Sequence, residues 1–305
     1  MDVEVLGASR LRFNDGTPVR AASAVVALGD GHLVVSDDAT HAAWCRDGSV
    51  TAVLLLPPVE GHEVFDEASG TKALKPDLET ACRVEVDGEP AVLVMGSGSS
   101  PARMRWCLLR LDGGRPTTVV ADASALYTRV ADVLGVDLDV LNLEGACVVD
   151  GALRWFHRGL PSAGLPSGSV DVDLADAVAL AVGRGAAAGV RVARPRHYDL
   201  GSVHGVGLAI TDVVALPDGR LLASAAAEDS PDPRDDGPVV ASALARIRGD
   251  RVLEVAAIPE LDGAVVKVEG LMLLGADDAG ATLLAVTDVD DPDAASWEVR
   301  IRVSR

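Results

Sequence analysis

Five times along the chain a polar residue opens a short apolar run, a turn follows, and a second apolar run ends in polar residues. The openers are Ser23, Glu79, Glu144, Asp212 and Glu269, and their segments begin SAVVALGDGHLVVSDD, ETACRVEVDGEPAVLV, EGACVVDGALRWFHRG, DVVALPDGRLLASAAAED and EGLMLLGADDAGATLLAV. They recur at intervals of 56 (23 to 79), 65 (79 to 144), 68 (144 to 212) and 57 (212 to 269) residues. Paired apolar runs at a period near sixty are the signature of a radial β-repeat, a propeller. The pattern predicts an all-β, five-bladed β-propeller over residues 1–305 as a single domain. The strand-like stretch Val3–Leu6 would complete the last blade, which removes the open edges of the ring. Six blades is the alternative, with an extra one hidden in 160–205.

Departures from the β pattern are few. Residues 122–136 place Leu126, Val130, Val133 and Leu134 at helical spacing, which predicts a helix. Residues 175–189 read equally as helix or as strand–loop–strand. Residues 57–76 have no period and predict a loop over one face, the kind of segment that carries function. Asp47-Gly48 is a hairpin turn signal, and 229–237 is a charged, turn-rich loop.

Composition fits this picture. The chain is 49% hydrophobic but only 3% aromatic, and 31 glycines and 16 prolines supply turns. The formal net charge of −19 disfavours nucleic acid and anionic membrane surfaces and favours divalent cations. Four scattered cysteines lack zinc-ligand spacing, and Cys82 and Cys147, each third after a Glu, read as buried residues of matching strands. The start shows no charged segment followed by an apolar core, and no apolar stretch is long enough to span a membrane. A cytoplasmic monomer is expected.

If each opener begins the innermost strand of its blade, all five meet at the central channel. Ser23, Glu79, Glu144, Asp212 and Glu269 would then be metal ligands, and facing carboxylates in a narrow pore are relieved by a hard cation. Ca²⁺, with six to eight flexible oxygen ligands, suits such a pore better than Mg²⁺.

Only three of the 27 basic residues are lysine, and Lys72, Lys75 and Lys267 all sit just ahead of an opener. With Ser97, Ser99 and Arg103 of GSGSSPAR they are candidate binders of a small anionic substrate, carrying phosphate or carboxylate. The second runs end at Asp37-Asp38, Ser97–Ser100, His157-Arg158, Glu228-Asp229, and Asp288 with Asp290, positions that border one end of the channel or the outer strand ends. His41, His204, Asp38 and Arg158 are the candidate catalytic groups. No serine-hydrolase elbow or triad order is present.

The motifs DDATHAA, KPDLE, GSGSSPAR, LNLEGACVV and KVEGL together resemble a bacterial family of β-propellers without an assigned function, over most of the chain. That family's pattern has QRGN or NRGN after the hairpin at Glu144, where this chain reads FHRGLP. More distantly, the opener order is similar to that of five-bladed calcium-dependent apyrases, with Asp212 where their pattern has serine. The resemblance implies a central Ca²⁺ and nucleotide phosphates at the channel mouth. The EG strands are also similar to esterase-like phytase and lactonase-type propellers. Two functions follow: a metal-dependent hydrolase of a small anion, or a non-catalytic propeller with a structural cation.

Overall fold

Each of the five repeated units forms the inner hairpin of a separate antiparallel sheet in the computed structural model, which describes residues 1–229, 237–289, 291 and 293–304. Strand β1 (Val3–Arg10) comes first in the chain but joins the last blade. Blade one is β2 (Ala22–Leu28), β3 (Gly31–Ser36), β4 (His41–Arg46) and β5 (Ser49–Leu54). Blade two is β6 (Leu78–Val86), β7 (Glu89–Gly96), β8 (Arg105–Asp112) and β9 (Arg115–Asp122). Blade three is β10 (Leu143–Val149), β11 (Ala152–His157), β12 (Ser167–Asp173) and β13 (Val192–Tyr198). Blade four is β14 (Ser202–Val203), β15 (Val206–Ala215), β16 (Leu221–Glu228), β17 (Val239–Arg248) and β18 (Arg251–Ala257). Blade five is β19 (Lys267–Asp277), β20 (Gly280–Asp288) and β21 (Trp297–Ser304), completed by β1 on the far side of β21. The propeller is therefore five-bladed and closed by its N-terminal strand. Residues 160–205 belong to blades three and four and add no sixth blade.

Strands β2, β6, β10, β15 and β19 touch one another in a closed cycle around the axis. They are covered on both faces, which is why they read as near-continuous apolar runs. Outer strands such as β18 alternate half-buried and exposed residues, as one wet face requires. Between each pair of adjacent blades lies one apolar layer, giving five layers around the ring. The largest fills the gap between blades two and three, where Trp155 meets Trp106 and Tyr127 edge-on at 5.4 and 4.9 Å.

Helix α1 (Ser124–Leu134) covers that gap with Leu126, Tyr127, Val130, Ala131 and Leu134, while Val133 is only partly buried. It ends where Gly135 turns left-handed (φ 73°), the position that favours glycine. The undecided stretch near 175 forms α2 (Leu174–Ala181), with the Asp173 carboxylate accepting from the N–H of Asp176. Among the described residues no helix is long and apolar enough to cross a membrane.

One backbone feature positions the site. Every innermost strand carries a β-bulge, and the extra, unpaired residues are Ser23, Glu79, Glu144, Thr211 and Glu269. A bulge re-aims its residue out of the ladder. Four of the five predicted openers sit on it. In blade four the bulge falls on Thr211, and Asp212 is the next residue, paired with Ser224.

Candidate functional site

The site lies where the innermost strands begin and their partners end. Backbone bonds lace this end together: Asp77 N–H donates to Asp37 O (3.2 Å), Ser97 N–H to Asp77 O (2.9 Å) and Leu143 N–H to Ser97 O (2.8 Å). Asp77 adopts a left-handed conformation (φ 56°), uncommon outside glycine but tolerated by aspartate.

Two arcs of alternating charge form here. In the first, the Lys75 ammonium bridges Asp37 and Asp77, at 2.8 Å from the latter. Arg103 binds Asp77 at 2.9 Å and the Ser99 hydroxyl at 2.8 Å, and Ser97 donates to the same Asp77 carboxylate. The Gly-Ser-rich segment thus cradles an internal carboxylate. In the second arc, Arg158 bridges Glu144 (3.0 Å) and Glu228, and Lys267 bridges Glu228 (3.2 Å) and Glu269 (2.8 Å). Asn142 adds a 2.7 Å bond to Glu144. The His157 ring accepts from the Asn142 N–H at 3.1 Å, and burial holds it neutral, with a pKa pushed down to about 4.

Between the arcs stands Glu79. Oxygens of Asp37, Asp77 and Glu79 all lie within 4.8 Å of one another, close enough to share one ion. Burial, then the charges of Asp37 and Asp77, push the Glu79 carboxyl well above its ordinary range against the pull of Lys75. Burial likewise raises Asp37 to about 6 and Glu144 to about 8, the latter in spite of Arg158. Carboxylates outnumber bases, and the donors are all oxygens. A hard cation fits this set by charge and by ligand type.

Of the five predicted ligands, only Glu79 belongs to this trio. Glu144 and Glu269 have their own bases, and the Ser23 hydroxyl donates to Ala21 O at 3.1 Å. Asp212 is fully buried and accepts the Leu271 N–H of the next blade at 2.7 Å. Two buried oxygens, Glu144 Oε2 and Asp212 Oδ1, have no hydrogen-bond partner.

Among the predicted substrate binders, Lys75, Ser97, Ser99, Arg103 and Lys267 gather at this mouth, all of them already bonded to its side chains. Lys72 instead pairs with Glu67 of the 57–76 segment at 2.8 Å and is 41% exposed. Of the predicted catalytic groups, Arg158 is in the second arc. Asp38 pairs with Arg20 at 2.8 Å, and burial and Asp37 raise its carboxyl to about 6. Asp38 and His41 line a cleft of about 760 Å³ with Phe13 and Arg20, and the His41 Nδ1 there is buried without a partner. His204 sits exposed in the β14–β15 turn and lines none of these features.

Asp77 and Asn142 complete the site, although the sequence pattern does not single them out as site residues, while Glu228, one of the predicted run ends, falls at the channel mouth between Arg158 and Lys267. A signal existed: the residue two before the bulge is polar in three blades, Asp77, Asn142 and Lys267. Asp290 falls outside the described residues.

Solved structures share the fold at low identity. A hypothetical protein from Leishmania major is 13% identical, covering 99% of this chain and 91% of its own, with a TM-score of 0.50. Glutaminyl cyclase from Myxococcus xanthus is 10% identical over 99% of this chain and 97% of its own, also at 0.50. An α-L-arabinanase variant from Cellvibrio cellulosa is 10% identical over 93% and 92%, again at 0.50. Identities this low speak for the fold alone. No curated protein matches the chain in sequence. Residues 71–292, which hold blades two to four and the first two strands of blade five with the segment leading into them, match a family described as a family of unknown function, DUF6910, and the chain belongs to that family.

Proposed function

We propose that the protein is a metal-dependent hydrolase whose channel mouth binds a hard divalent cation, Ca²⁺ first, and a small substrate carrying phosphate or carboxylate. The observation that carries the reading is the convergence of Asp37, Asp77 and Glu79 within 4.8 Å at a mouth where acids outnumber bases. In this reading these three carboxylates hold the ion, and bound Ca²⁺ supplies a Lewis acid that polarises a substrate oxygen. With Asp37 and Asp77 engaged by an ion, Lys75 would be free to meet the substrate anion beside Arg103. Asp38, with a pKa near 6, exchanges a proton at neutral pH from the adjoining cleft. Arg158 keeps Glu144 in place.

The test is calorimetric titration of chelator-treated protein with Ca²⁺ and Mg²⁺, followed by assay of phosphomonoesters and carboxylate esters with and without the ion. Saturable Ca²⁺ binding, lost in Asp77→Asn and Glu79→Gln, supports the reading; no binding of either ion overturns it.

A second reading is favoured by the ion pairs themselves. Lys75, Arg103, Arg158 and Lys267 are each engaged by carboxylates. That arrangement suits a non-catalytic propeller with a structural cation. Ca²⁺ binding without turnover of any substrate class would favour it.

A further inference from the structure

A second group of metal-ligating side chains lies away from the channel mouth, on the seam where the last blade meets the first. His32 on β3 and Cys45 on β4 are direct cross-strand partners, so their side chains leave the sheet on the same face. Glu298 on β21 of blade five meets that face, and its Oε2 is 2.7 Å from His32 Nε2. A nitrogen of His32, the Cys45 sulfur and an oxygen of Glu298 all lie within 4.8 Å of one another.

We propose that His32, Cys45 and Glu298 bind a borderline-soft transition-metal ion, Zn²⁺ first, that pins blade five to blade one. The donor set is nitrogen, sulfur and oxygen, the set Zn²⁺ takes and Ca²⁺ does not. Tetrahedral ligands around Zn²⁺ stand roughly 3.3–3.8 Å apart, as bond lengths of about 2.0–2.3 Å require. The His32–Glu298 pair, at 2.7 Å, opens by about 0.6 Å to reach that spacing, and the Cys45 sulfur lies within 4.8 Å of both. The ion displaces the thiol proton to solvent. Neutral imidazole, thiolate and carboxylate then carry two negative charges, which cancel those of the ion. A nearly neutral centre is what a seam lined by Val25, Val34, Ala43 and Leu284 tolerates. Cys45 is 8% exposed, whereas the side chains of His32 and Glu298 are 18% and 24% exposed, so the ion has a path from solvent and a water or solvent-side ligand can complete four-coordination.

Cys107 gives the contrast. It too follows a tryptophan on the third strand of a blade, but it lies opposite Val94 and its thiol donates to Leu55 O at 3.0 Å. That cysteine is fully occupied in the core, while Cys45 faces a histidine and a glutamate. The location also has a structural consequence. Blades one and five come from opposite ends of the chain, and a bond across their seam opposes the opening of the ring.

The test uses the full chain, stripped with chelator, and Co²⁺ as a spectroscopic probe for Zn²⁺. One equivalent of Co²⁺ should give the intense near-ultraviolet thiolate-to-cobalt band and visible bands of tetrahedral strength, and Zn²⁺ should abolish both. Cys45→Ser should lose the thiolate band, and Glu298→Gln should weaken Co²⁺ binding by about tenfold or more. Zn²⁺ should raise the melting temperature of the wild type and not of Cys45→Ser. Excess Ca²⁺ should leave the cobalt spectrum unchanged, as should Glu79→Gln, which separates this site from the channel mouth. A wild-type protein of native circular dichroism that shows no thiolate band overturns the proposal whatever the variants do, and so does a band that survives in Cys45→Ser.

Discussion

Gly270 faces Ala24 across the seam between the last and first blades, and a β-carbon on Gly270 would stand 2.7 Å from the Ala24 α-carbon. Gly145 meets Asp212 in the same way, at 3.0 Å. Each follows a bulged glutamate, so the EG pair joins an acid re-aimed by the bulge to a glycine that lets the next blade approach. The requirement is for space, since neither glycine has a positive φ. Gly270→Ala should therefore destabilise by about 1–3 kcal/mol, as overpacking does, and Gly145→Ala by less. Gly275→Ala, with nothing within 4 Å, is the control. Urea denaturation of the three variants checks the order.

The bulge in blade four separates Thr211 from Asp212 in role. The Thr211 hydroxyl bonds Val268 O at 2.6 Å and Ser224 Oγ at 2.8 Å, both fully buried. Thr211→Val should cost about 1–3 kcal/mol, the penalty for buried groups left unpaired. Burial holds the Asp212 carboxyl well above its ordinary range, with Glu269 adding to the rise and the Leu271 N–H opposing it. Asp212→Asn keeps an acceptor for Leu271 and removes a group that is costly to ionise. It should be neutral or stabilising at pH 7 and leave Ca²⁺ affinity unchanged. A large loss of affinity in Asp212→Asn would return Asp212 to the ligand set.

The fold was legible in the sequence because burial on both faces writes each inner strand as an apolar run, and the run recurs five times. The ring positions were legible where the bulged residue is also the first polar one, as at Glu79, Glu144 and Glu269. At Thr211-Asp212 two polar residues adjoin, and which of them is bulged depends on pairing with β16, which no local pattern encodes. Lys72 and Lys75 look alike in KALKP, yet one turn of backbone between them sends Lys72 to Glu67 and Lys75 to Asp37 and Asp77. Asp77 is silent in the sequence because its importance comes from Lys75, Arg103 and two serines meeting it in space. The seam group of His32, Cys45 and Glu298 spans 266 residues between its histidine and glutamate, so sequence spacing carries no trace of it.

Two opposed contributions should set the pH dependence of stability. Glu144 and Asp37 have folded pKa values raised to about 8 and about 6. The folded state holds their protons more tightly, so the stability they confer is present at low pH and is lost as pH rises through those values. His157 has the opposite sign. Its folded pKa is lowered to about 4, so its share of stability is present above its ordinary value of 6.5 and is lost as pH falls towards 4. The full loss is about 3 kcal/mol for a shift of that size. The melting temperature of chelator-treated protein should rise as pH falls from 8.5 to about 6.5, and rise less steeply below that, where His157 opposes the two carboxyls. Ca²⁺ should flatten the alkaline limb, because a cation compensates ionised Asp37. His157→Gln should steepen the rise below pH 6.5. A melting temperature that climbs steadily through pH 8 without added ion would contradict the assignment of raised carboxyls.

The two neighbouring lysines offer the sharpest comparison. Lys75 is nearly buried, and the carboxylates of Asp37 and Asp77 hold its ammonium charged, its pKa raised despite the burial that opposes it. Lys75→Met removes the cation and leaves Asp37, Asp77 and Glu79 facing one another. Breaking a buried pair from one side costs about 3–5 kcal/mol, and the loss should be greatest above pH 7, where Asp37 is ionised. Millimolar Ca²⁺ should restore much of it if the vacated carboxylates accept an ion. Lys72→Met removes an exposed partner of Glu67 and should cost no more than about 0.5 kcal/mol, with no response to Ca²⁺. Thermal melts of both variants at pH 6 and pH 8, with and without Ca²⁺, decide the matter. Equal and small effects from the two substitutions would mean that the acidic trio does not depend on a cation, and the proposed metal centre would fall with it.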